Sequence, residues 1–373
     1  MAQYVTIGRR TDLDGEDLTT PTSYRAEINN RGWDRYIKIA IFEVQRTAGI
    51  DELGTVTGNA FEFDGDTLDI SFSVNASMDS SSTGGLPSAS VTLKNLNSDT
   101  QWSIKKYMRI TINAGYKGDK NNGLVFSGQI TNIKDSYESD GSITLELSCI
   151  AMYESKQILV STIDYKAGTP FTTIVENVCS MSGIPLNACE FDGTCTLDTA
   201  RTFQGSVKDV IDELINMANN KLVQNNPTIT KKDISNGKGY AMTTDRSYIE
   251  ILKDGGEKGY AIAFNATNGL ISVNREDIVS DSALANKQDI VTIDATIQFN
   301  WRIRLSTAVS ITSFKQPHLS GVYQVYSYEM NGSSRNGSHD ITMSLMPVQG
   351  FANDIVDLSS KYTVSYTQGP TDS

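Results

Sequence analysis

The sequence alternates apolar and polar residues in two stretches about two hundred residues apart, and both stretches follow the same plan. In the first, Met108-Arg109-Ile110-Thr111-Ile112 alternates, Gly123 opens the run Leu124 to Thr131, and Ile143 to Cys149 alternates again after a polar turn. In the second, Val309 to Thr312 precedes Gly321, which opens Val322 to Tyr328, and a polar turn leads to Ile341 to Leu345. Gly123 precedes Ile143 by twenty residues, and Gly321 precedes Ile341 by the same number. A period of two marks strands buried on one face, and its repetition predicts a duplicated β-barrel or sheet module. Three copies of a chain with two such modules present six equivalent surfaces, an arithmetic that suits an assembly part.

Other segments add strands and two helices. Ile37, Ile39 and Ile41 alternate with polar neighbours; Leu68, Ile70, Phe72 and Val74 do the same behind an Asp64-Gly65-Asp66 turn. That turn predicts a hairpin with Phe61 to Phe63, and Asn268-Gly269 predicts a second between Ala261 to Phe264 and Leu270 to Val273. A short helical turn is expected near Trp102 and Ile104. Thr169 and Pro170 predict a helix start, with Thr169 as cap and Pro170 in the first position. Ile174, Val175, Val178 and Met181 then follow at helical spacing up to Gly183. Ser206 opens a second helix with Asp209 in its first turn, and Val207, Val210, Ile211, Leu214 and Met217 form its apolar face.

The resulting division is an N-terminal extension over 1–35, a first β-barrel domain over 36–155, a small α/β insert over 160–225, a small β domain over 226–285, a second barrel module over 286–350 and a tail over 351–373. The fold class is mainly β.

The sequence carries little that resembles a catalytic or ligand-binding arrangement. Its two histidines, His318 after a proline and His339 in a Ser/Gly turn, stand in loops, and no phosphate-binding or nucleophile-elbow glycine pattern is present. Asp12 to Asp17 resembles a calcium loop only faintly, lacking the full ligand series with its terminal Glu, and reads as a solvated acidic turn. Cys149 falls in the apolar register of its strand, a buried thiol; Cys189 and Cys195 flank Phe191-Asp192-Gly193 and can approach across a turn, but without the close pairs of zinc sites. Tyr323, Tyr326 and Tyr328 lie on one strand, the last two on one face, and read as packing or a subunit contact rather than a ligand platform. No residue is assigned a catalytic, cofactor-binding or metal-ligating role. No apolar run approaches the roughly 18 residues of a membrane helix. Met1 to Tyr4 does not begin a signal peptide, which leads us to expect synthesis in a cytoplasm.

Several of these segments, taken in order, resemble the baseplate hub proteins of bacteriophage tails and the hub half of VgrG spikes. They are Leu68 to Val74, Ala89 to Leu96 ending in Asn95-Leu96, Arg109 to Tyr116 with its Ala114-Gly115-Tyr116, and Gly123 to Ile130 with its Phe126-Ser127-Gly128. Toward the C-terminus Asn268 to Ile271, Trp301 to Arg304 and Gly321 to Val325 are similar to the closing module of that family. The resemblance implies a structural, non-enzymatic homotrimer in the virion tail. Its paired barrels would form a pseudo-sixfold ring joining the sixfold tail tube and tip proteins above to the trimeric spike or tip below, with the tape measure protein a further candidate neighbour. The N-terminal sixty residues exceed the family pattern, and no spike β-helix or lysozyme domain is expected from this sequence. The competing classes are a tail-associated cell-wall-degrading glycosidase or peptidase and a carbohydrate-binding adhesin.

A formal charge of −12 opposes specific nucleic-acid binding, because an acidic surface releases no counterions from phosphate. DNA could pass through the lumen of such a ring only past a neutral to acidic wall. In a titration at moderate ionic strength the purified protein is expected not to bind DNA; tight, salt-sensitive binding would contradict the charge argument.

Overall fold

The computed structural model describes residues 3–6, 34–44, 56–78, 86–117, 122–137, 141–229, 234, 239–245, 248–253, 260–278, 290–335 and 337–347. Asp12 to Asp17 and the segment 351–373 lie outside them. The chain is mainly antiparallel β. Alternation is the cause: in β4 (Asp69–Ser77) Ile70, Phe72, Val74 and Ala76 turn inward, and in β5 (Ser88–Lys94) Ala89, Val91 and Leu93 do. Their cross-strand pairs, such as Phe72 with Val91, place apolar side chains together on one face.

Fourteen strands belong to one connected sheet. The first module runs in the order β3 (Val56–Asp64), β2 (Arg35–Val44), β6 (Arg109–Tyr116), β7 (Asn122–Tyr137), β8 (Ile143–Ile150), β5 and β4. The second runs β14 (Tyr260–Asn265), β17 (Ala308–Thr312), β18 (Gly321–Ser333), β19 (Asp340–Pro347), β16 (Ile290–Gln298) and β15 (Leu270–Ile278), with β1 (Gln3–Thr6) on the outer edge of β14. The second half of β18 pairs with β4, so a backbone ladder from Ser71–Ser333 to Ser77–Ser327 joins the modules.

The duplication holds in detail. β7 and β18 each carry a bulge against the following strand, between Ile130 and Asn132 and between Val325 and Ser327. Just before β6 and β17 stand Tyr107 and Ser306, both left-handed, with φ 71° and 62°. The Tyr107 N–H donates to the Ile130 carbonyl and the Ser306 N–H to that of Val325; the N–H groups of Ile130 and Val325 return bonds to Met108 and Thr307. These shared marks equate β3, β4, β5, β6, β7 and β8 with β14, β15, β16, β17, β18 and β19. The first module has one strand more: β2 lies between β3 and β6, whereas β14 pairs directly, and in parallel, with β17.

Both predicted hairpins turn out otherwise, and in the same way. Asp64 and Asn265 each cap a tight turn, accepting the N–H of Asp66 and of Thr267 on a side-chain oxygen. Yet β3 does not pair with β4, nor β14 with β15. These strands stand at opposite ends of their module's order, so a short turn between them draws the two edges of the sheet together, which is how it curls into a barrel. Turn chemistry fixes the reversal, not the ladder.

An α/β unit lies between β8 and β14. It contains α2 (Glu154–Gln157), α3 (Phe171–Ser182) and α4 (Val207–Asn225), a pair β9 (Leu159–Tyr165) with β11 (Arg201–Ser206), and a sheet β10 (Leu186–Cys189), β13 (Tyr248–Lys253), β12 (Tyr240–Asp245). Its core, built around Phe171, Phe203, Ile211 and Leu214, is separate from that shared by the two barrels. Ser206 and Asp209 form a reciprocal capping box, and Gly183 ends α3 in the left-handed region at φ 61°. Thr169 does not cap: its hydroxyl turns back to the Lys166 carbonyl, and Pro170 is itself the residue before the first turn. The strands within 226–285 do not form a sheet of their own. β12 and β13 close over α4 through Tyr240 and Ile251, while β14 and β15 enter the large sheet. A buried ion pair, Arg109 on β6 with Glu154 on α2 at 2.7 Å, ties this unit to the first barrel. No helix among the described residues is long and apolar enough to cross a membrane.

Gly128 lies on β7 where its backbone closes on the end of β8. A Cβ there would stand 2.5 Å from the Ile150 carbonyl oxygen, a backbone atom of the next strand that cannot swing aside. Gly128→Val is therefore expected to destabilise by at least about 1–3 kcal/mol through overpacking. Thermal melting checks this, and an unchanged melting temperature would contradict the register.

Candidate functional site

The residues with chemical potential are dispersed. His318 is exposed on a short 3-10 turn and His339 is buried elsewhere. No group of three or more His, Cys, Asp or Glu suited to a metal occurs among the described residues. All four cysteines are free. Burial pushes the Cys149 and Cys179 thiols up, the latter to about 12, so they stay protonated and unreactive at neutral pH. Cys189 and Cys195 do not bond across their turn; the Cys195 thiol instead donates to Asp192 at 3.6 Å. Asp192 also accepts from Thr194, the Tyr240 hydroxyl and Lys253, and these bonds, Thr194 first, hold its carboxyl well below the usual range. A carboxylate so fully occupied is a brace for the 190–195 loop.

A cleft of about 440 Å³ lies beside α3 and β10, lined by Thr172, Glu176, Cys179, Asn187 and Cys189. It contains no histidine and no activated thiol. The tyrosines of β18 form no platform either. The bulge after Val325 shifts the alternation, so Tyr323 and Tyr328 turn into the core and Tyr326 falls on the other face.

What the fold does concentrate is the junction between the modules. Beside the β4–β18 ladder, Trp301 of the second module lies flat against the start of β7. A Cβ at Gly123 would stand 2.4 Å from the indole, so only glycine admits the ring at this distance. The Arg302 guanidinium covers that ring, 4.6 Å from its centroid. The twin of this residue in the first module is Trp102, in the last turn of the short helix α1 (Ser98–Ser103), and it is 82% exposed. The two tryptophans begin matching sequences, Trp102-Ser103-Ile104-Lys105 and Trp301-Arg302-Ile303-Arg304, with Ile104 and Ile303 both buried. That repeated pattern was available in the sequence and marks the same site on both modules.

Behind the tryptophan the junction is closed by His339. Its ring stacks on Phe299 at 4.5 Å and meets the edge of Tyr116 at 5.1 Å, and its Nε2 donates to the Gly115 carbonyl at 2.9 Å. Arg35 clamps the neighbouring loop through the carbonyls of Ser333 and Gly337. Burial, and then the Arg35 charge, disfavour the imidazolium and push the His339 pKa down to about 4. Between about pH 6.5 and 4 the unfolded chain therefore takes up a proton that the folded chain refuses, so stability contributed by this group is complete above that window and lost as pH falls through it. The loss is at most about 3 kcal/mol. Melting curves from pH 7.5 to 4.5 are expected to fall more steeply for the native protein than for His339→Gln; equal slopes would contradict this.

No protein-family model matches the sequence, and no curated protein matches it. Solved structures do resemble the fold. The 43 kDa tail protein of prophage MuSo2 from Shewanella oneidensis superposes with a TM-score of 0.50 at 12% identity, over 84% of this chain and 99% of that one. A tail protein from Neisseria meningitidis MC58 gives 0.53 at 8% identity, over 84% and 96%. A chain of the Francisella PdpA-VgrG complex gives 0.51 at 8% identity, over 92% of this chain and 61% of that one. At such identities the likeness is one of architecture, and the architecture is that of phage tail proteins.

Proposed function

We propose that this chain is a structural component of a phage tail, and within it the baseplate hub. Three copies form a ring in which six barrels alternate, first module and second. Its sixfold face meets the tail tube and tip proteins, its threefold face meets the spike, and the tape measure protein is a further neighbour. The chain contributes geometry rather than catalysis.

The observation that carries this reading is the internal duplication. Six pairs of equivalent strands, with matching bulges and matching left-handed residues, lie in a single connected sheet. A part that must fit a sixfold object with three chains needs two near-equal units held rigidly, and a hydrogen-bonded ladder between modules supplies the rigidity. The fold shared with the tail proteins of Shewanella oneidensis and Neisseria meningitidis supports the same conclusion.

Three chains of 40.8 kDa amount to about 122 kDa. Light scattering at micromolar concentration is expected to find that mass. A stable dimer, or a monomer that stays monomeric when the spike partner is added, would overturn the hub. Release of peptidoglycan fragments by the purified protein would favour an enzyme instead, and selective binding on a glycan array an adhesin.

A further inference from the structure

The junction inside the chain has a twin that the chain alone leaves open. In the existing junction the second module contributes Trp301 and the outer edge of β18 from Ser327 to Ser333; the first module receives them with Gly123 and β4. On the first module the equivalents of the contributing groups are Trp102 and the second half of β7. Among the described residues, Asn132 to Tyr137 pair only with β8, leaving their other edge without a ladder. On the second module the equivalents of the receiving groups are β15, which among the described residues pairs only with β16, and the connection between β17 and β18.

Both open surfaces carry exposed apolar side chains. Trp102, Tyr107 and Tyr137 stand out from the first module, Ile271 and Phe314 from the second. The other large apolar side chains this exposed among the described residues, Leu159 and Met181, belong to the α/β unit. On β15 the ladder equivalent of the fully buried Ile70 is Leu270, which is half-buried, and the bulged Ile271 beside it is 59% exposed. A free strand edge flanked by aromatic groups is a template for pairing.

We infer that the occupant is a second copy of this chain: the edge of β7 from Asn132 to Tyr137 pairs antiparallel with β15 of the neighbour, and Trp102 packs at the start of the neighbour's β18. The register follows from the existing ladder. Met330 opposite Val74 becomes Asp135 opposite Arg275, an oppositely charged pair on one face, and Gly332 opposite Phe72 becomes Tyr137 opposite Val273. The contact is head to tail, so successive copies either close a ring or continue as a filament. This inference rests on the ring proposed above and names the surfaces that build it.

Directly opposed residues of an antiparallel pair hold their Cα atoms about 4.5–5.5 Å apart, inside the span of a disulfide. The test uses the full chain with Asp135→Cys and Arg275→Cys together, mildly oxidised and run on a non-reducing gel beside the native protein and each single variant. Cross-linked species ending at three chain lengths, formed by the double variant alone and reversed by reductant, are expected. Trp102→Asp, which alters an exposed side chain, is expected to weaken self-association about tenfold or more in light scattering while leaving the melting temperature of the dissociated chain unchanged. A ladder running past three chains would support these surfaces and overturn the closed ring. A trimer that neither cross-links nor responds to Trp102→Asp would overturn this inference and leave the hub standing. Monomers without cross-links at the highest concentration reached, with the spike partner present, would overturn both.

Discussion

The ladder between β4 and β18 is the constraint on which the rest depends. Seven residue pairs, from Ser71–Ser333 to Ser77–Ser327, bind backbone to backbone across the middle of the molecule. Without it both strands would present unpaired N–H and C=O groups at a barrel edge, and two flexible barrels would share only side-chain contacts. With it the apolar faces of both modules merge into one core in which Phe72 meets the edge of Phe299 at 6.0 Å. Trp301 on Gly123, Arg35 on the 333–337 loop and the His339 stack all follow from that closeness.

The α/β unit stands under a different rule. It has its own core, its own caps and two small sheets, and it joins the first barrel through a buried charge pair. A buried pair adds little over an apolar contact, yet removing one partner strands the other charge, typically at about 3–5 kcal/mol. Such a contact specifies orientation more than it adds stability. Rigid barrels and a separately folded, specifically oriented insert suit an object whose barrels must match neighbours closely.

Strands and helices were mostly legible from residues 36 to 347, since period-two alternation at Ile37, Ile70, Ala89, Ile110 and Leu145 directly reports a buried face. The duplication was legible too, but on imperfect evidence. The equal twenty-residue spacings after Gly123 and Gly321 are not the structural register. The bulges equate Ile130 with Val325, and that alignment carries Gly123 to the neighbourhood of Leu319 rather than to Gly321. The better signal was the pair of Trp-x-Ile patterns, whose significance depends on seeing that one tryptophan is covered and the other is not.

By itself the sequence determined which residues turn inward along most strands, where the chain reverses, where α3 ends and where α4 begins, because each depends on neighbours within a few positions. Only the tertiary structure decided which strands pair. The turns at Asp64 and Asn268 set a reversal that serves a hairpin or a barrel corner equally, and the choice rests on ladders to β2 and β17 from distant parts of the chain. The same holds for the assignment of β12 and β13 to the α/β unit, and for Tyr326, which a single bulged residue moves to the opposite face from Tyr328. Long-range backbone pairing has no local code, since any strand edge can accept any other. The pairing is chosen by which arrangement buries the apolar faces while leaving the fewest backbone groups unpaired.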